Sequence, residues 1–307
     1  MPSRRRRSVW RPLLAIGVAL VLLGGVAIWS NVLGVGDKVR DVARKIELIV
    51  DPPPDRPIEE EVLVTPRPSP APTPTPTPTP VISFAPGDPT PAPTPTPTPV
   101  PQRQRVDVNL YARPEAHFIT EIDHEWCAVA GTQMVLAAHG KADLSEAFQK
   151  VLASRIGEWE SRRDSINGGW GPSAMVRALE AYGVPGYKVR TYATRADALR
   201  DAARAISELN APVILLTWRG AHTWVMTGYR ADADPLVFDD AKVSGTYILD
   251  PWYPRISSIW GASDPPGTYQ DAAEMRRNYL PWKRPEGSYP SRDGLFVVVM
   301  PTIRLDR

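Results

Sequence analysis

Between Pro52 and Pro101 the chain gives up most of what a polypeptide can fold into. The stretch reads PPPDRP, then PRPSPAPTPTPTPTP, VISFAPGD and PTPAPTPTPTPVP, and it accounts for most of the 35 prolines among 307 residues. Each proline fixes φ and removes the backbone donor, so neither a helix nor the interior of a sheet can propagate through it. The composition predicts a disordered Pro/Thr-rich linker over residues 52–102, extended in polyproline-II form at ~3.1 Å per residue and reaching on the order of 100 Å. Such a spacer holds one part of a protein away from a surface, and it divides the chain into what comes before it and what comes after.

Before it comes a membrane signature. Residues 1–12 form a basic tail containing Arg4–Arg7 and Arg11, and an uncharged apolar run follows over 13–35. At ~1.5 Å per residue that run is long enough for a ~30 Å hydrocarbon core. It exceeds the ~7–15 residues of a signal-peptide apolar region and lacks a small-residue cleavage pattern, so a retained transmembrane helix is expected. The dense arginine cluster on a short tail places the N-terminus in the cytoplasm and the rest outside. Residues 36–51 continue as an amphipathic juxtamembrane helix, with Val35, Val39, Val42, Ile46 and Ile49 at steps of four and three. That stripe suits either a helix lying on the membrane or a short two-helix seam giving weak self-association.

After the linker, residues 103–307 are ordinary globular sequence, enough to bury a core. Helices are expected over 126–139, 145–154, 172–183 and 194–209, the third opened by Pro172 and closed by Gly183. Strand runs then follow in PVILLTW (212–218), TWVMTGY (223–229), 245–249 and GLFVVVM (294–300). Helices first and antiparallel strands later make an α+β domain. Residues 251–292 read as long loops. With a net charge of +2 and no stripe of Lys and Arg, no nucleic-acid partner is expected.

The chain has a single cysteine, Cys127, so an intramolecular disulfide and a CxxC zinc site are both excluded. Cys127 falls in the first turn of the helix WCAVAGTQMVLAAHG, where unpaired N–H groups and the helix dipole are expected to lower its pKa. A thiolate needs a base to become a controlled nucleophile. Of the four histidines, His139 is about 18 Å away at the far end of the same helix. His117 carries no signal, and His124 precedes the helix without an orienting partner. Pairing His124 with Cys127 on a zinc ion has poor spacing and no further ligands. His222 starts the strand TWVMTGY, and the next strand, GTYILD, ends at Asp250. If the two strands pair as an antiparallel hairpin, His222 and Asp250 become neighbours. The carboxylate can then fix the imidazole tautomer and steady its charge. No cofactor and no metal are called for by this set. The tryptophans Trp126, Trp170, Trp224 and Trp252 are expected to form core and cleft walls.

The segments WCAVAGTQMVLAAHG, PSAMVRALEAYGV, NAPVILLTWRGAHTWVMTGY and YILDPW resemble papain-like cysteine peptidases, and among them the bacterial peptidase C39-like family. The similarity covers about residues 110–255. It implies a papain-like fold and thiol hydrolysis of a peptide or amide bond in a peptide or protein substrate. Cys127 would be the nucleophile, His222 the general base and acid, and Asp250 the orienting residue. The family usually places an oxyanion-donating glutamine shortly before the cysteine. Here the segment is ITEIDHEWC, with Glu121 at about that distance, and an ionised carboxylate cannot donate. Two other functions remain open: a transglutaminase-like acyl transferase, which uses the same residue types, and a catalytically degenerate module that binds peptides or cell-surface material. The exporter-fused members cleave leader peptides inside the cell. With no GxxxxGK[ST] motif and one apolar span, that role is not carried over. The reading is a membrane-anchored cysteine hydrolase whose C-terminal domain is extracytoplasmic.

Overall fold

The computed structural model describes residues 51–58, 62–65, 101–165, 170–283 and 288–305, with Gly24–Val26 and the helical positions 39, 42, 43, 46 and 50. The strands are β1 (Val62–Val64), β2 (Val106–Asn109), β3 (Tyr187–Tyr192), β4 (Val213–Thr217), β5 (His222–Ala231), β6 (Val243–Leu249), β7 (Ile256–Ser257), β8 (Gly261–Ala262), β9 (Thr268–Asp271) and β10 (Phe296–Pro301). The helices are α1 (Cys127–Ala138), α2 (Glu146–Ser154), α3 (Ile156–Trp159), α4 (Pro172–Ala181), α5 (Arg195–Leu209) and α6 (Ala272–Asn278).

One large sheet runs β1-β3-β10-β4-β5-β6-β9, with β2 paired to the far half of β5; β7 and β8 form a separate two-stranded piece. Every pairing in the large sheet is antiparallel except β1 with β3. The fold class is therefore α+β, as the order of patterns predicts, although β3 (YKVRTY) interrupts the helical half. In that strand Lys188 and Arg190 alternate with Tyr187, Val189 and Thr191, and the latter three, all buried, carry the period-two signal.

Both faces of the sheet are covered, which is why its central strands read as unbroken apolar runs. Ile214, Leu216, Val225, Val297 and Val299 pack against Val135, Leu136, Met175 and Leu179 from α1 and α4. On the other face Val213, Leu215, Met226, Val298 and Trp224 pack against Ala202, Ile206 and Met275 from α5 and α6. Each such buried side chain contributes roughly 1.5–3 kcal/mol. The helix starts follow the sequence. Ser145 Oγ accepts from Phe148 N (3.1 Å), Thr194 Oγ1 from Asp197 N (3.1 Å), and Asp271 Oδ1 from Ala273 N (2.7 Å) and Glu274 N (3.0 Å).

Two segments depart from expectation. Residues 251–292 contain β7, β8, β9 and α6 as well as loops; β9 completes the sheet edge beside β6. The second departure lies inside the stretch read as free linker. Val62, Leu63 and Val64 pair with Arg190, Thr191 and Tyr192 of β3. Just upstream, the backbone of Arg56 brackets Ser161: its N–H donates to Ser161 Oγ (3.1 Å), and its carbonyl accepts from that hydroxyl (2.8 Å). Asp55 pairs with Arg163. The physical reason is local: residues 58–65, IEEEVLVT, are the longest proline-free run in the segment, and they include three consecutive residues suited to an edge strand.

Among the described residues no helix is long and apolar enough to cross a membrane. The run 13–35 lies outside the described residues except for Gly24–Val26. The helical positions Val39, Val42 and Ile46 are exposed; Val35 and Ile49 of the same stripe lie outside the described residues.

Candidate active site

Two local devices bring Cys127 and His222 together. Cys127 is the first residue of α1. This helix lies against β5 through Gly131, where a Cβ would stand only 2.8 Å from Thr223 Cγ2. The absent side chain allows the backbone approach that places the start of α1 beside the start of β5. On β5, antiparallel pairing with β6 matches Val225 to Leu249, so the next residue of β6's chain, Asp250, arrives beside His222.

His222 Nε2 donates to Asp250 Oδ1 over 2.7 Å, in a pair that is almost wholly buried. The same Oδ1 accepts from Trp252 N at 2.9 Å. With Nε2 engaged, Nδ1 is the nitrogen left for chemistry. A ring nitrogen of His222, the Cys127 sulfur and a carboxylate oxygen of Glu121 all lie within 4.8 Å of one another. The three residues singled out by sequence, Cys127, His222 and Asp250, are thus brought into one site.

The imidazole is held from its face as well as its edge. Trp218 stacks on His222, with ring centroids 4.1 Å apart and planes 19° apart, and Trp260 stacks on Trp218 at 5.5 Å and 5°. Trp252 meets His222 edge-on at 6.5 Å. Trp218 reaches this position through a left-handed turn: φ is 49° at Trp218, 63° at Arg219 and 86° at Gly220. A left-handed conformation costs a non-glycine residue roughly 1–2 kcal/mol. Gly220 carries no such cost, and it also makes room, because a Cβ there would strike the Trp282 ring at 2.3 Å. Trp218 Nε1 is fixed by Asn278 Oδ1 at 3.1 Å.

Around this pair lies a cleft of about 400 Å³ walled by Trp170, Trp218, Trp252, Trp260, Trp282 and Tyr289, with Cys127 and His222 at its base. Of the tryptophans expected to be core and cleft walls, Trp170 and Trp252 are walls. Trp224 is core on the opposite face of the sheet, and Trp126 packs half-buried beside the α1 core. Trp218, Trp260 and Trp282 were not anticipated. For Trp218 a signal existed in the WRGAH string, whose glycine permits the turn. Of the other histidines, His124 lines the cleft 5.4 Å from Trp252, His117 stacks on Tyr111, and His139 Nε2 bonds to the Tyr187 hydroxyl.

The electrostatics correct one expectation. The dipole of α1 does not prevail at Cys127: burial pushes the thiol up to about 12, and Glu121 adds in the same direction. Contacts from Thr223 and the Ala128 backbone oppose this without offsetting it. The resting sulfur therefore keeps its proton, and attack requires a base in the same step.

Glu121 corrects another. The loop before α1 is tied to the loop after β6 through Glu121 N to Pro251 O (2.9 Å) and Thr120 Oγ1 to Tyr253 O (2.7 Å). The Glu121 side chain is fully buried, and that burial raises its pKa to about 9. Arg255 Nη1 approaches one oxygen at 3.3 Å and pulls the other way, but it is itself partly exposed and its charge partly solvated. At neutral pH the carboxyl is un-ionised. The triangle of Glu121, Cys127 and His222 suits a cation poorly: Glu121 and Cys127 hold protons, and a guanidinium already stands beside the Glu121 carboxyl.

No protein-family model and no curated protein matches the chain. Among solved structures, a double-glycine motif protease from an AMS/PCAT transporter, crystallised with a leader peptide, is similar at 18% identity; the match covers 60% of this chain and 91% of that one, with a TM-score of 0.31.

Proposed function

We propose that this chain is a cysteine-type peptidase or amidase of the papain-like, C39-like kind, working through Cys127, His222 and Asp250. The observation that carries the reading is a single imidazole held edge-on by a buried carboxylate, face-on by Trp218, and within reach of the one thiol in the chain. Nδ1 of His222 takes the thiol proton as Sγ forms a bond to the substrate carbonyl carbon, whose π electrons move to oxygen. Collapse of that adduct expels the amine, which leaves with the proton from His222. Water then hydrolyses the thioester by the same path in reverse. Asp250 keeps Nε2 protonated and stabilises the imidazolium that forms in between. The aromatic cleft suits a peptide with apolar or ring-bearing side chains. In the cell the chain is read as anchored through residues 13–35, with the domain outside the cytoplasm.

The test is cleavage of a mixed peptide library by the full chain, read by mass spectrometry, beside iodoacetamide alkylation of Cys127 at pH 7. Cleavage should vanish in Cys127→Ala and His222→Ala, and alkylation should slow at least tenfold in His222→Ala, because the thiol cannot shed its proton unaided. Cleavage that persists in Cys127→Ala, or alkylation indifferent to His222, overturns the reading. An acyl transferase would instead pass the acyl group to an added amine. A binding module would retain peptides equally well in Cys127→Ala.

A further inference from the structure

We propose that Glu121 serves this site as a neutral carboxylic acid, its O–H donating to the oxyanion that develops when Cys127 attacks. The proposal rests on the thiol-hydrolase reading above and assigns a residue to the one task left unfilled there.

The geometry points to a donor. Glu121 is fully buried, Oε1 is met by Arg255, and Oε2 has no hydrogen-bond partner. A buried carboxyl oxygen without a partner costs about 1–3 kcal/mol, and one of the Glu121 oxygens lies within 4.8 Å of the sulfur that would carry the adduct. The proposal sets the oxyanion, formed on the carbonyl beside Sγ, against that carboxyl. An O–H···O⁻ bond is among the stronger kinds a side chain can offer. The carboxyl keeps its proton because of what surrounds it. From the loop after β6, Arg255 favours ionisation while Asp250 opposes it; from its own loop, Asp123 opposes it. Cys127 and His222 face it from α1 and β5. Glu146 and Lys150 of α2 line the outer hollow behind it. Desolvation outweighs all of these. A charged Glu121 would repel the oxyanion, so the same residue that helps when neutral obstructs when ionised.

A peptide aldehyde, acetyl-Ala-Ala-alaninal isotope-labelled at the aldehyde carbon, reads this directly. Addition of Cys127 forms an S–C bond, sends the carbonyl electron pair to oxygen and passes the thiol proton to His222, giving a hemithioacetal whose oxygen occupies the oxyanion position. Its affinity in the full chain is measured by nuclear magnetic resonance from pH 6 to 10. Wild-type affinity should fall as the pH passes about 9. Glu121→Gln, whose amide donates at any pH, should bind at pH 7 within about threefold of wild type and lose that alkaline fall. Glu121→Ala should bind on the order of 10²-fold more weakly. Equal affinity in Glu121→Ala, or the same alkaline fall in Glu121→Gln as in wild type, overturns the proposal. Iodoacetamide alkylation develops no oxyanion and reports the Cys127–His222 pair alone. If alkylation depends on His222 but no hemithioacetal forms in wild type, the Glu121 assignment fails and the thiol reading stands. If alkylation ignores His222, both fall.

Discussion

His222 and Asp250 are 28 residues apart in sequence, yet Nε2 of one and Oδ1 of the other are separated by 2.7 Å at the base of the cleft. The hairpin β5–β6 creates that relationship, and burial of both partners strengthens it, since water competes for neither. Asp250→Asn keeps the shape but can leave the imidazole in the wrong tautomer. Peptide hydrolysis should fall by roughly 10²–10⁴, while the thermal melt moves by only a few degrees. A loss of activity accompanied by global unfolding would assign Asp250 a structural role instead.

Stability should fall with rising pH because of Glu121. Its folded-state pKa is raised from 4.5 to about 9, so the folded chain holds a proton that the unfolded chain has released across that interval. The stability tied to this proton is complete below about pH 4.5 and is lost as the pH climbs through about 9. The total is on the order of 5 kcal/mol. Thermal melts from pH 5 to 9 should show wild type declining and Glu121→Gln declining much less.

The close approach of α1 to β5 is a packing prediction. A side chain at Gly131 meets Thr223 at once, so Gly131→Val should cost about 1–3 kcal/mol by overpacking in chemical denaturation. It should also slow iodoacetamide capture of Cys127, because the helix start must retreat from His222.

Trp218 clamps the face of the imidazole, and such ring pairs contribute about 0.5–1.5 kcal/mol beyond their buried area. Trp218→Gly removes the clamp while relieving the left-handed backbone at φ 49°. Turnover should drop at least tenfold, and the melting temperature should fall by several degrees, since the relieved backbone offsets only part of the burial lost. A variant with normal turnover would show that Asp250 alone suffices to hold the ring.

Ser161→Ala breaks both bonds to the Arg56 backbone, at about 1 kcal/mol each. Limited proteolysis, followed by mass spectrometry, should then cut more readily between residues 51 and 65.

Much of this site was legible in the sequence because its parts obey local rules. A cysteine at a helix start, a histidine opening a strand and an aspartate closing the next need only an antiparallel hairpin to meet. What escaped depends on three-dimensional surroundings. The Cys127 thiol is high rather than low because burial exceeds a helix-end effect, and burial has no signature in the residues flanking it. Glu121 looked like a damaged donor because its charge was taken from its type, whereas its environment decides the proton. The Trp218 clamp required a backbone conformation that tryptophan rarely adopts. The β1 strand was hidden by the prolines on either side of it.

That last strand changes what the proline-threonine run can accomplish. The chain is fastened to the domain at Arg56 and at β1, and fastened again at β2. Whatever path residues 66–100 take, they begin and end on the same body. A rope knotted at both ends to one post gives no standoff, so the run closes a loop on its own domain and adds no distance between that domain and whatever precedes Asp55.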